Sequence, residues 1–189
     1  MNKKAVAKVL SSLPGFRTVG PYYIGTCNRE VIAGYALDAP PGGVYISRFI
    51  LPAYDRIEFL HMGLGKRIAQ FSRNEAASDS ADLDLLLKND WQDFSNACDC
   101  RSLIAYLDRE QVVGDYCQWT RYLTYASVGD LESAGRLELQ WKYSPGAPRL
   151  QLIAQNMKEV LEVKNQSGWI GVQELLAKWS EHTVTKFCH

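Results

Sequence analysis

The chain has no apolar run long enough to cross a membrane. Its longest, residues 31–37, contains Gly34, whereas a spanning helix needs about 20 apolar residues. It also has no net charge, since 21 Lys/Arg balance 21 Asp/Glu, so no chain-wide field draws it to nucleic acid or an anionic membrane surface. Gly-x-Ser-x-Gly, His-Glu-x-x-His and calcium-loop patterns are missing. That removes motif-borne chemistry but leaves catalytic groups assembled from distant residues open. Lys8 interrupts the short apolar stretch behind Lys3 and Lys4, and no small-residue cleavage site follows, so a secretory signal is not expected. The cysteines number five; an odd count in a chain of this size suggests reduced thiols and a cytoplasmic location rather than a disulfide framework.

The composition itself is that of a folded domain. At 189 residues and 47% hydrophobic, the chain can build one core without a metal or disulfide staple. Neutrality hides an uneven distribution of charge. Through Glu75 there are ten Lys/Arg against five Asp/Glu, a net +5; from Ala76 to Asp115 three against nine, a net −6; the rest has eight against seven. Two oppositely charged stretches can attract each other or present two faces to partners.

Ala5, Val6, Val9, Leu10 and Leu13 recur at helical spacing with lysines opposite, and Pro14-Gly15 stops them, so a short amphipathic helix is predicted first. Residues 16–27, 31–37, 44–51 and 57–62 are rich in Val, Ile, Tyr and Phe and are separated by Asn28-Arg29, Pro40-Pro41-Gly42-Gly43 and Pro52. They read as about four strands of a small, mainly antiparallel sheet with one inward face. Arg48 interrupts the apolar face of the third, and an acidic helix near Asp79 is the expected ion-pair partner. Residues 70–81 are polar and are predicted to form a connecting loop.

Five or six helices should follow. Asp79 or Ser80, Asp99 and Asp115 are the predicted caps of the first three, the first of which carries the stripe Leu83, Leu86, Leu87, Trp91 and Phe94,. Gly129-Asp130 reads as the turn of a helical hairpin. The segment 125–134 is loosely similar to the turn within a tetratricopeptide repeat, but no second copy stands at the roughly 34-residue period of such arrays. Leu137, Leu139, Trp141 and Tyr143 alternate with polar residues, leaving residues 136–143 open to helix or strand. Residues 144–148 read as a turn, and two further helices lie on either side of a break at residues 165–168. The expectation is a single α+β domain, with a strand-rich part (1–69) and a helical part (82–189) sharing a core.

Three functional readings follow. The first is a non-enzymatic module that binds another protein, of the adaptor or toxin-neutralising (immunity-type) kind found in bacteria. It rests on the charge bias and on plentiful Tyr and Trp, with Arg29, Arg48, Asp55, Glu58, His61, Lys66 and Arg67 as the candidate contact residues. The second is a small enzyme with a site around Cys27, Arg48 and His61, where a nucleophile, an anion-binding group and a base could meet. The third is a nucleic-acid binder using the basic first part. Gly63-Leu64-Gly65-Lys66-Arg67 has neither the glycine spacing nor the Ser/Thr of a phosphate loop. Cys98-Asp99-Cys100 has one intervening residue where zinc pairs usually have two to four. No cofactor, no metal and no membrane association are expected.

Overall fold

The computed structural model describes residues 2–72, 80–140 and 148–188. The fold is α+β: helix α1 (Lys3–Ser12), strands β1 (Arg17–Val19), β2 (Tyr22–Cys27), β3 (Val31–Asp38), β4 (Gly43–Pro52) and β5 (Lys66–Ser72), then helices α2 (Ser80–Phe94), α3 (Cys100–Arg109), α4 (Asp115–Val128), α5 (Leu131–Gln140) and α6 (Pro148–Phe187). The five strands form one sheet in sequence order, with antiparallel pairing of β1 to β2, β2 to β3 and β4 to β5. Among the described residues no helix is long and apolar enough to cross a membrane. Two compact units result. One comprises Met1–Cys27, Ile32–Leu51 and Leu60–Cys98; the other comprises Asn28–Val31, Pro52–Phe59 and Asp99–His189.

In the first unit, Asn2 caps α1 by accepting from the Ala5 amide at 2.9 Å, and Val6, Val9 and Leu10 are buried. Burying each of these three side chains contributes roughly 1.5–3 kcal/mol before entropy is counted. They join Tyr23, Tyr35, Val44 and Ile46 of the sheet and Leu83 and Leu87 of α2 in one core. The predicted stripe on α2 is therefore real, although Leu86 is exposed. Phe16 stacks on Tyr35 and meets the Trp91 ring edge-on at 4.7 Å. Gly25, the extra residue of a bulge between β2 and β3, lies beneath Phe16 and Trp91, where a Cβ would fall 2.5 and 2.6 Å from their rings.

Five sequence expectations change here. Residues 16–27 are not one strand but the hairpin of β1 and β2, turned at Gly20 with φ 58°. Residues 57–62 are not a strand: Ile57 and Leu60 are buried while Glu58 and Phe59 between them are exposed, a spacing of three that a pleated strand cannot produce. The last strand is β5, so residues 70–72, assigned to a loop, lie in the sheet; 73–79, with the Asp79 cap, fall outside the described residues. β3 is buried at every position from 31 to 37, so the sheet is not one-faced at its centre. Lastly, Cys27 and Cys188 each take part in a disulfide, whereas the odd cysteine count had suggested five reduced thiols; Cys98, Cys100 and Cys117 remain thiols.

In the second unit, Asp99 caps α3 by accepting from the Arg101 and Ser102 amides at 2.9 Å each. Gly114, rather than Asp115, holds the N-cap position of α4; its φ of 111° suits glycine, and Asp115 is the first helical residue,. Gly129 ends α4 in the left-handed conformation, as its position suggested, and Asp130 accepts from the Ser133 amide at 3.1 Å at the start of α5. α5 settles residues 136–140 as helix, while 141–147 lie outside the described residues. The break expected at 165–168 is a single non-helical residue of α6, Gly168. Trp119, Tyr122, Leu123, Val160, Val172 and Leu176 are central to this unit's core.

Candidate functional site

The second unit contains a cavity of about 520 Å3, and all of its lining belongs to that unit. The volume falls within the range of small-ligand pockets. Its first wall is the turn between β2 and β3, where Asn28 accepts from the amides of Glu30 and Val31 at 2.8 Å each. An Asx turn of this kind fixes the backbone locally. Two further bonds pin it: Ser180 of α6 donates to the Arg29 carbonyl, and the Ala53 amide donates to that of Glu30 at 2.8 Å. The second wall is the first turn of α3. Here Glu30 accepts from the Cys100 amide at 2.7 Å, supplementing the Asp99 cap.

Tyr54, Val128 and Leu176 supply aromatic and aliphatic surface. The hydroxyls below obey a simple proton count. Thr124 donates its only proton to the Thr120 carbonyl at 2.7 Å, so Tyr54, 2.7 Å from the Thr124 oxygen, is the donor of that pair,. Cys100 is buried, and its thiol is pushed up to about 12, first by desolvation and then by the Glu30 carboxylate beside it. A thiol in that state carries almost no thiolate at neutral pH, and the thiolate is the nucleophile. At pH 8 Cys100 of the native chain is expected to alkylate on the order of a thousandfold more slowly than a free cysteine. Iodoacetamide labelling read by peptide mass spectrometry, native against urea-unfolded, checks this; comparable rates would overturn it.

Of the candidate contact residues, Arg29 alone lines this cavity. Arg48 is buried and bonds Asp90 of α2 at 3.0 Å, the pairing expected of it. Asp55 is buried in the second unit, accepting from Tyr116, Trp119 and Asn156 at 3.1, 3.1 and 3.2 Å. Glu58 belongs to a surface cluster with Lys186 at 2.7 Å and Arg56 at 3.7 Å, and the hydrogen bond from Lys186 is the main reason its carboxyl is lowered. His61 accepts the Gly63 amide through Nδ1 at 3.1 Å. Lys66 and Arg67 open β5, both exposed, with the Arg67 guanidinium 4.3 Å from the Tyr45 ring centre. Cys27, the nucleophile of the enzymatic alternative, is held in a disulfide.

Sequence reasoning missed Glu30, Cys100 and Arg101 as neighbours. The Asp99 cap located the start of α3, but no local signal ties residue 30 to residue 100. Among the described residues no three His, Cys, Asp or Glu side chains are grouped as a metal site requires. Fold and cavity together define an α+β protein with an arginine-bearing pocket in its helical unit. No protein-family model, curated protein or solved structure matches the chain.

Proposed function

We propose that the protein works by binding another protein, not by catalysis. One observation carries this reading: the side chains with chemical potential are already engaged in holding the fold. Arg48 bonds Asp90, Asp55 accepts three donors, Cys27 is in a disulfide and Glu30 bonds the first amide of α3. What remains facing solvent at the pocket is a pair of exposed arginines, Arg29 and Arg101, beside apolar surface. Arginine and apolar surface together suit a protein interface. Within this reading, an adaptor and a toxin-neutralising protein differ in the partner they hold, and the partner's identity separates them.

The test uses the immobilised full chain, lysate of the source cells and mass spectrometry of what is retained. A partner held by the wild type and by His61→Ala, but lost from the Arg29→Glu/Arg101→Glu variant, is the expected result. Loss of more than about 1.4 kcal/mol in affinity, tenfold, is the scale for reversing charges at an interface. Repeated recovery of the chain alone would refute the reading.

A further inference from the structure

We infer that the cavity in the second unit takes the C-terminal carboxylate of the partner protein, carried on an aliphatic last residue, clamped by Arg29 and Arg101. This rests on the protein-binding reading above and names the chemistry it would use.

Most polar groups around the cavity are engaged within the protein, Ser127 with the Cys100 sulfur among them. Glu30 and Asp99 bring negative charge, but both are turned to the first amides of α3, at 2.7 and 2.9 Å. Ser180 donates to the Arg29 carbonyl, and Gln173 donates to the Ala126 carbonyl at 3.2 Å. Tyr54 spends its proton on Thr124. The amides at the start of α3 are therefore capped from within, and the neutral donors are satisfied. Arg29 and Arg101 differ: both are exposed, and among the described residues neither guanidinium has an ion pair within 4 Å, although Arg101 is near enough to Asp99 to help lower its carboxyl.

Both arginines are also mounted on fixed backbone. Arg29 sits in the Asx turn, held further by Ser180; Arg101 is the second residue of α3, directly behind its cap. A guanidinium has donors only, so the matching group must be an acceptor, and the planar carboxylate accepts two parallel N–H bonds. Positions fixed in advance reduce the entropy lost on binding. Val128 and Leu176 then favour an anion attached to an aliphatic body over a bare one,.

The test titrates the isotope-labelled full chain by two-dimensional NMR with N-acetyl-leucine, N-acetyl-leucinamide and inorganic phosphate. N-acetyl-leucine is expected to shift the amides of Arg29, Cys100, Arg101 and Gln173 with a dissociation constant of roughly 1–10 mM, reasonable for about a dozen heavy atoms. The amide and phosphate should leave them unmoved, and Arg29→Gln/Arg101→Gln should weaken the acid at least about tenfold. No shift with the acid, or equal shifts with either control, would overturn the inference. The two proposals fail separately: a captured partner that survives Arg29→Glu/Arg101→Glu sinks this site alone, whereas a positive titration with no partner ever captured sinks the protein-binding reading alone.

Discussion

Asp55→Ala is expected to cost about 3–5 kcal/mol, enough to unfold much of the second unit at ambient temperature, because a buried carboxylate is removed from beneath three donors. Those donors, Tyr116 and Trp119 on α4 and Asn156 on α6, approach its two oxygens at 3.1 to 3.2 Å, while Thr183 donates to the Asp55 carbonyl at 3.0 Å. One residue of the 52–59 segment thus ties both helices. Asp55→Asn keeps one acceptor oxygen and the shape, and is expected to cost only about 1–2 kcal/mol. Urea unfolding followed by far-UV circular dichroism separates the two; an alanine variant within about 1 kcal/mol of wild type would show that the cluster is not a support.

Wild type and Asp55→Asn together carry a pH prediction. Burial raises the Asp55 carboxyl above its ordinary value and outweighs the opposing hydrogen bonds from Trp119, Tyr116, Asn156 and the Arg56 amide. The folded chain therefore keeps this proton to higher pH than the unfolded chain does. The group's favourable contribution is complete below about pH 3.9, the unfolded value, and is lost as pH rises through the folded value. Wild-type stability minus Asp55→Asn stability should therefore fall between pH 3 and pH 7, since the asparagine variant cannot ionise. A difference that grows with pH would show that the hydrogen bonds prevail over burial.

Local chemistry was legible in the sequence where the structure is local. Asp99 caps α3 and Gly129 ends α4, through bonds to residues three or four positions away, and these positions carry recognisable residue types. β5 was not legible. None of its residues is fully buried, and a bulge skips Ile68 between its pairs with Ile46 and Ser47, so the two-residue period is faint. Residues 57–62 misled for the opposite reason, being apolar without being pleated. The cavity was out of reach because it depends on pairs such as Glu30 with Cys100 and Tyr54 with Thr124, each 70 residues apart. Hydrophobic periodicity reports which face an element buries, not which distant turn meets it.

Arg48 is where sequence and structure agree on a residue and the remaining question is its role. Its Nη1 lies 3.0 Å from one Asp90 oxygen, Tyr35 shares its proton between the other and the Leu87 carbonyl, each at 3.0 Å, and the guanidinium sits 5.1 Å from the Phe94 ring centre. The Arg48 side chain is 9% exposed and that of Asp90 18%, so removing either partner is not equivalent. Asp90→Ala takes the carboxylate away from the more deeply buried cation and from Tyr35, and is expected to cost about 3–5 kcal/mol. Arg48→Met leaves a carboxylate that still accepts from Tyr35 and lies nearer water, while the methionine refills the space over Phe94; about 1–2 kcal/mol is expected. The double variant should consequently be more stable than Asp90→Ala alone, with a coupling of at least about 1.5 kcal/mol in a denaturation cycle. Arg48→Met should also retain the captured partner as well as wild type does. A stable Arg48→Met chain that loses its partner would move Arg48 from the support of the first unit to the contact surface.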